Sequence, residues 1–395
     1  MRSKGLNFSE FISEFDFNHI AYEISGSDAF HYTANRIGRN ISSKSSSYGE
    51  EGVFQALEKK PGDLEFQDFA ALLSPSAEPY LEELAQAARS ITLQRFGSTM
   101  KLYAPLYLSN ECKSSCTYCG FSFENKIHRR TLSINEALAE ADILYQQCIR
   151  HILLLTGEDY RQTPVEYIGE IAQQLSEKFP SIGIEVYPLK TEDYQRLRTR
   201  GVDSLAVYQE TYDPEVYRQV HLRGVKKSMK FRMDCPDRAG RAGLRRIAIG
   251  ALLGLSDPPT DVFFAALHAK HLMKSFWKTE ISISLPRLRP AAGFDPVSLI
   301  PDRMYVQFLC ALRLFLPDVG LTLSTRESTH LRNNLANICI TNMSAGSRTE
   351  PGGYSGTEAT AQFQIEDTRS ISEVVEFLKS SGKEPVFIDW TPVMK

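Results

Sequence analysis

The residues whose types and spacing can do chemistry are three cysteines in the run Cys112-Lys-Ser-Ser-Cys116-Thr-Tyr-Cys119, a C-x3-C-x2-C pattern. Three thiolates on one short loop can wrap a face of a cubane iron–sulfur cluster, whose irons favour soft sulfur ligands, and one iron is then left without a protein ligand. An open coordination position separates a reactive metal centre from a structural one. Two other readings use the same residues. Zinc would want a fourth ligand, for which His128, nine residues after Cys119, is available, although the spacing is unusual for zinc. Cys116 and Cys119 also form a C-x-x-C redox pair, which leaves Cys112 unexplained. The remaining cysteines, Cys148, Cys235, Cys310 and Cys339, stand alone and are expected to be buried small hydrophobes. Seven is an odd total that excludes a disulfide framework and points to a reduced intracellular protein.

The composition is that of an ordinary globular chain. Its 395 residues carry 45 Lys+Arg against 48 Asp+Glu, a net charge of −3, and 42% are hydrophobic. Such a balance gives no global reason to expect nucleic acid or an anionic membrane as partner. The longest apolar and glycine run, 247–255, is far below the roughly 18 residues of a membrane span. The start, with Glu10, Glu14 and Asp16, reads neither as an export signal nor as an organelle address, so a cytoplasmic location is expected.

Residues 1–97 read as a helical extension, broken at 41–49 and at Pro61-Gly62, with 80–96 as its clearest amphipathic helix. From Lys101 the pattern changes to eight short, β-branched apolar runs: 101–110, 151–158, 182–188, 204–210, 247–255, 280–288, 320–327 and 338–344. Helical patterns at 134–148, 165–179, 191–200, 214–230, 261–277 and 303–316 lie between them. Strand–helix alternation means parallel strands joined by right-handed crossovers, and eight strands in roughly 245 residues predict an α/β fold, a closed (β/α)8 TIM-type barrel, over a doubly wound sheet. The expected organisation is an N-terminal helical extension (1–97), a barrel (98–350) and a short C-terminal lid or tail (351–395). Several strand runs finish in polar residues, among them Asn110, Glu158, Glu210, Arg289 and Arg326, and strand C-termini of a barrel share one face, where enzymes of this fold place their chemistry.

With Tyr118 ahead of the third cysteine, the cysteine motif resembles the radical S-adenosylmethionine (SAM) superfamily, in which the amino and carboxylate groups of the cofactor chelate the fourth iron. The stretches 104–122 (APLYLSNECKSSCTYCGFS), 153–160 (LLLTGEDY), 207–217 (VYQETYDPEVY), 236–243 (PDRAGRAG), 250–257 (GALLGLSD), 284–290 (SLPRLRP), 323–328 (LSTRES) and 351–356 (PGGYSG) are similar to the 2-iminoacetate synthase family, the tyrosine lyases of thiamine biosynthesis. Residues 72–89 and the pair Asp389-Trp390 extend the likeness through most of the chain. The resemblance implies a [4Fe-4S] cluster on Cys112, Cys116 and Cys119, with SAM as second cofactor. It also implies cleavage of the Cα–Cβ bond of L-tyrosine to 2-iminoacetate (dehydroglycine) and p-cresol, with 5′-deoxyadenosine and methionine formed.

On that reading Gly157 lets backbone approach the cofactor and Glu158 accepts hydrogen bonds from its amino group. Gln209 and Glu210 hold ribose hydroxyls or the substrate ammonium, Tyr118 offers backbone polar groups to adenine, residues 250–255 form an apolar wall for it, and Arg232 reaches the cofactor carboxylate. An amino-acid carboxylate calls for a planar cationic fork. Arg326 is the expected partner with Ser324 beside it, and Arg289 shapes the pocket or meets the cofactor. Ten Lys or Arg against two acids between 218 and 246 give a basic stretch suited to an acidic flavodoxin or ferredoxin-type donor, if it is more than a solvated face. Segment 344–367 either covers the pocket mouth or is a surface loop. A thiazole synthase is the protein partner implied. The rivals are a tryptophan lyase of the same architecture, a hydrogenase-maturation tyrosine lyase whose C-terminal extension carries further cysteines where this sequence has none after Cys339, and a noncatalytic metal-binding scaffold.

Overall fold

The computed structural model describes residues 7–25, 31–33, 36–38, 48–296, 300–356 and 358–387. Eight strands run parallel in sequence order: β1 (Thr99–Ser109), β2 (His151–Thr156), β3 (Ser181–Glu185), β4 (Ser204–Glu210), β5 (Arg246–Ala251), β6 (Glu280–Ser284), β7 (Gly320–Leu323) and β8 (Asn342–Ser344). Pairing of Asn342, Met343 and Ser344 with Lys101, Leu102 and Tyr103 closes the sheet on itself. The result is the (β/α)8 barrel, with strands buried on both faces and therefore apolar along most of their length.

Most crossover helices match the sequence periodicity, among them Ile134–Gln146, Val165–Leu175, Thr191–Thr199, Pro258–Ser275 and Asp302–Phe315. Pro258–Ser275 begins earlier than its apolar pattern because Asp257 caps it, accepting from the Thr260 backbone N–H at 3.2 Å. The pattern at 214–230 is not one helix. Pro214–Val220 is helical, His221–Arg223 is a strand paired antiparallel with Ser115–Cys116 of the cysteine loop, and Met229–Met233 is a separate turn of helix. Gly224, at φ 88°, brings the chain so close to this loop that a Cβ there would meet the Ser114 Cα at 2.7 Å. Pairing with a distant segment overrides helical periodicity here. The helices Cys235–Arg241, Thr329–Ala336 and Ile371–Ser380 are additions to the sequence reading.

The N-terminal segment packs on the barrel rather than extending from it. The Phe8 ring stacks on His268 with centroids 3.9 Å apart, and the helix Leu81–Phe96 lies against Asp302–Phe315. It is not wholly helical, since His31–Thr33 pairs antiparallel with Arg36–Gly38.

At the other terminus a ninth parallel strand, β9 (Glu384–Val386), pairs with β1 through Thr99–Lys101, a contact the sequence reading did not contain. Asp389-Trp390 lie outside the described residues. Asp367 anchors this segment. It accepts from Arg332, which is fully buried, and from Arg369 at 2.6 Å. Burial pushes the Asp367 carboxyl up, but Arg369 and Arg332 outweigh it and hold the group below its ordinary range. Asp367→Ala strands the Arg332 guanidinium without its counter-charge, so equilibrium denaturation should show a loss of about 3–5 kcal/mol. The stabilisation is present in full above the ordinary carboxylate range and is lost as pH falls through the lowered value.

Candidate active site

The cysteine loop leaves the end of β1 and folds over the mouth of the barrel. Cys112 and Cys116 are buried, Cys119 is half-buried, and all three are free thiols. Two small apolar clusters meet at Cys119, one built on Tyr118, Val216 and Leu252, the other on Tyr107, Phe121 and Leu155. Arg129, which sequence reasoning missed, holds the loop by donating to the carbonyls of Asn110, Phe121 and Ser122 at 2.7, 3.2 and 2.8 Å. Burial pushes the Cys112 thiol up to about 11 and raises Cys116 and Cys119 as well, with the Lys226 cation opposing the rise at the last two. Gly157 is required by the loop itself, since a Cβ would meet the Glu111 carbonyl oxygen at 2.2 Å and the Cys112 Cβ at 3.2 Å. His128, the ligand zinc would need, is exposed, and its Nδ1 lies 3.0 Å from the Glu358 carbonyl oxygen. Of the four solitary cysteines, Cys235, Cys310 and Cys339 are buried as expected. Cys148 is exposed, at φ 67° just past its helix, where the chain must turn into β2.

Behind the loop lies a buried set of two acids and two bases. Lys226 donates to Glu210 at 2.6 Å, and Arg232 pairs with Glu158 at 3.1 Å and Glu210 at 3.4 Å while its Nε donates to the Tyr208 carbonyl at 2.7 Å. Glu158 also accepts from the Ser114 hydroxyl at 2.9 Å, which ties it to the cysteine loop. Glu210 sits at φ 73°, where the β4–β5 register slips between Tyr208 and Glu210. A non-glycine residue in the left-handed region costs on the order of 1–3 kcal/mol and marks a site held by its surroundings. Burial alone would raise the Glu210 carboxyl, but Lys226 and Arg232 hold it below its ordinary range. Gln209, on the bulge, is buried with no partner for its Nε2.

A cavity of about 110 Å³ opens at the C-terminal ends of the strands. Six of the residues singled out in the sequence line it: Tyr118, Cys119, Glu210, Arg289, Ser324 and Arg326. Cys112, Cys116, Gly157, Glu158, Gln209 and Arg232 do not line it; of these, Glu158 and Arg232 join its wall through the ion pairs with Glu210. Arg326 lies over the Phe363 ring at 3.4 Å and makes no ion pair among the described residues. Arg289 is instead committed to Glu366 at 2.7 Å. Ser344, Ser347, Thr349, Gln362 and Phe363 line this cavity too: Gln362 accepts from the Tyr107 hydroxyl at 2.7 Å, its Nε2 reaches the Cys119 sulfur at 3.8 Å, and its carbonyl accepts from the Gly120 N–H at 3.2 Å. Tyr118 lines the same cavity, its hydroxyl 2.7 Å from His221 Nε2.

Lys226, Glu185, Gln362 and Phe363 are site residues the sequence reading did not name. Lys226 was hidden in the basic stretch. Glu185 had a signal: β3 stops at Glu185, not at Pro188, and the true strand end places it on the catalytic face. A larger cavity of about 510 Å³, lined by Lys101, His151, Arg246 and Glu280, lies at the N-terminal strand ends, far from the cysteines, and that face of a barrel serves stability.

Residues 106–262 match the Radical SAM superfamily model, and residues 284–384 match the Biotin and Thiamin Synthesis associated domain. The chain is 43% identical over 326 residues to 2-iminoacetate synthase of Salmonella typhimurium, covering 82% of this chain and 86% of that one, with the same figures for the Escherichia coli enzyme. The chain belongs to the 2-iminoacetate synthase family. Among solved structures, the FeFe-hydrogenase maturase HydG from Carboxydothermus hydrogenoformans superposes with TM-score 0.80 at 35% identity, covering 88% of this chain and 81% of that one.

Membership of the 2-iminoacetate synthase family makes this chain a radical SAM lyase that works with a [4Fe-4S] cluster and SAM. The residues present fit both groups. Three free thiols on one loop, lined by apolar side chains, match the soft donor set of the cluster, and the unpartnered Gln209 amide beside Glu210 offers polar atoms to SAM. When bound, the pair supplies the 5′-deoxyadenosyl radical. The chain's own part is to hold the loop through Arg129, to hold Glu210 ionised between Lys226 and Arg232, and to line the cavity with Gln362.

Proposed function

We propose that this chain cleaves the Cα–Cβ bond of L-tyrosine, giving 2-iminoacetate and p-cresol for the thiazole of thiamine. The observation that carries the reading is Arg326, a half-buried guanidinium that has no counter-charge among the described residues and faces the cavity beside the cysteine loop. A planar fork held without a carboxylate partner is suited to receive one from the substrate. Cys112, Cys116 and Cys119 ligate the cluster. Glu158, Gln209, Glu210 and Arg232 serve the cofactor, and Ser324 lies beside the substrate carboxylate. Arg289, tied to Glu366, shapes the pocket and clamps the segment over its mouth.

The test is an anaerobic assay with reductant, SAM and either tyrosine or tryptophan. Formation of p-cresol and glyoxylate, the hydrolysis product of the imine, from tyrosine alone is the expected result. An intact cluster with neither product overturns the reading. Indolic products from tryptophan would assign the tryptophan lyase instead, and cyanide or carbon monoxide would assign the HydG-type reaction.

A cytoplasmic flavodoxin or ferredoxin-type protein supplies the electron, and a thiazole synthase receives the imine. The donor surface is smaller than the basic stretch of the sequence implies. Lys226 and Arg232 are internal, and Arg218, Arg245 and Arg246 are neutralised by Glu215, Asp203 and Glu280. Arg223, Lys227 and Lys230 are exposed, and Arg223 belongs to the strand paired with Cys116's own strand. Arg223→Glu with Lys227→Glu should slow donor-driven turnover about tenfold at low salt and leave dithionite-driven turnover unchanged. Equal donor-driven rates across the salt range would remove this surface.

A further inference from the structure

Two opposite charges face the same cavity without pairing with each other or with any other charged side chain among the described residues: Arg326 at the end of β7 and Glu185 at the end of β3. Each is close enough for its charge to act on the other. An enclosed cation and anion that leave each other free are complementary to a zwitterion. In an α-amino acid the nitrogen lies only about 2.5 Å from the carboxylate carbon, so a carboxylate acting near the Arg326 fork meets the ammonium. The phenol lies at the far end of a tyrosine side chain and does not compete for this position.

The chemistry at the nitrogen adds a second requirement. The proposed product, 2-iminoacetate, holds this nitrogen as an imine with fewer hydrogens, whereas an amino acid in water carries an ammonium ion. A proton must leave the nitrogen inside the site. Two carboxylates are available there, and their surroundings set them apart. Glu210 is held ionised by Lys226 and Arg232, both of which pair with its Oε1. Glu185 has no hydrogen-bond or ion-pair partner among the described residues. Burial, with Glu210 next, pushes its carboxyl up to about 7, against the opposing pull of Arg326, Arg232 and Lys226. The other groups acting with it are the phenols of Tyr103, Tyr107 and Tyr208, all raised by burial and therefore neutral; the Tyr107 proton is committed to Gln362. Carboxylates whose surroundings set them apart divide into fixed charge and proton carrier.

We infer that Glu185 binds the α-ammonium group of the substrate and accepts its proton, so that the nitrogen is a neutral amine when it reacts. The step moves one proton from nitrogen to a Glu185 carboxylate oxygen and involves no electron. The inference rests on the amino-acid lyase reading above. With Arg326 it makes a two-point clamp that selects α-amino acids over the corresponding acids or amines.

Equilibrium binding of L-tyrosine and of its deamino analogue, 3-(4-hydroxyphenyl)propanoate, to the reconstituted enzyme tests the clamp without turnover. The wild type should prefer tyrosine by at least about thirtyfold, the scale of losing a buried charge partner. Glu185→Gln should lower that preference at least tenfold while keeping its affinity for the analogue, and Glu185→Asp should restore most of it. In turnover, kcat/KM of the wild type should fall as pH drops below about 7, and Glu185→Gln should lack that limb and be slow throughout. A Glu185→Gln preference reduced less than tenfold, or an unchanged low-pH limb, overturns the inference. If Glu185→Gln does not fold, the wild type decides: its preference for tyrosine must decline between pH 8 and 6, and a constant preference counts against Glu185. Failure of the wild type to form p-cresol strikes the lyase reading instead, so the two failures are separable.

Discussion

Replacing Cys116 by alanine abolishes 5′-deoxyadenosine formation, with or without tyrosine, and lowers iron retention after reconstitution. Cys116 is buried in the short strand that pairs with His221–Arg223, and its backbone is held there independently of its side chain. Alanine keeps that pairing and removes only the sulfur. Removing groups that merely orient a metal ligand already costs 10- to 100-fold in affinity or activity, so loss of a ligand should exceed about a hundredfold. Cys148→Ser is the matched control, because Cys148 is exposed and remote in the chain from the loop, and its activity should be that of the wild type. Iron content and 5′-deoxyadenosine yield, measured on both variants, read out the result. Wild-type cleavage by Cys116→Ala would remove this cysteine from the ligand set.

The second large effect falls on the substrate side. Arg326→Ala should raise the KM for tyrosine by roughly thirtyfold to several thousandfold, the range expected when a buried charge loses its partner, while slow uncoupled 5′-deoxyadenosine formation persists. Arg326→Lys should recover little, because a single ammonium cannot reproduce the two parallel hydrogen bonds of the fork or its stacking on Phe363. Arg289→Ala behaves differently. It frees Glu366 and loosens the segment over the mouth, so its effect should be a larger share of uncoupled turnover with a modest change in tyrosine affinity. Tyrosine binding by Arg326→Ala equal to the wild type would assign the carboxylate to another group.

Both effects trace to residues that stand out in the chain before any fold is known, though for different reasons. The cysteine loop is legible because its three cysteines fall within eight positions and their spacing alone restricts the metal chemistry. The barrel is legible because eight β-branched runs are interleaved with six amphipathic helical patterns, and local periodicity survives burial. Arg326 and Arg289 are legible as strand-end arginines, but nothing local distinguishes them. Only the folded structure shows Arg289 paired with Glu366 and Arg326 without a counter-charge among the described residues.

What the amino-acid order determined by itself was therefore the eight-stranded α/β architecture, the position of the three thiols at the end of its first strand, and the face on which chemistry occurs. The tertiary structure decided how charge is distributed on that face. It turned Lys226 and Arg232 from a basic surface stretch into the buried partners of Glu210 and Glu158, broke the 214–230 helix to pair His221–Arg223 with the cysteine loop, and laid Gln362 and Phe363 over the cavity. It also placed Glu185 opposite Arg326 across one cavity. The physical reason is the range of the interactions. Helix and strand periodicity come from contacts a few residues apart, whereas the burial and pairing of a charge depend on separate segments, 16 to 77 residues apart in the pairs of Lys226, Arg232 and Arg289, that only the closed barrel brings together.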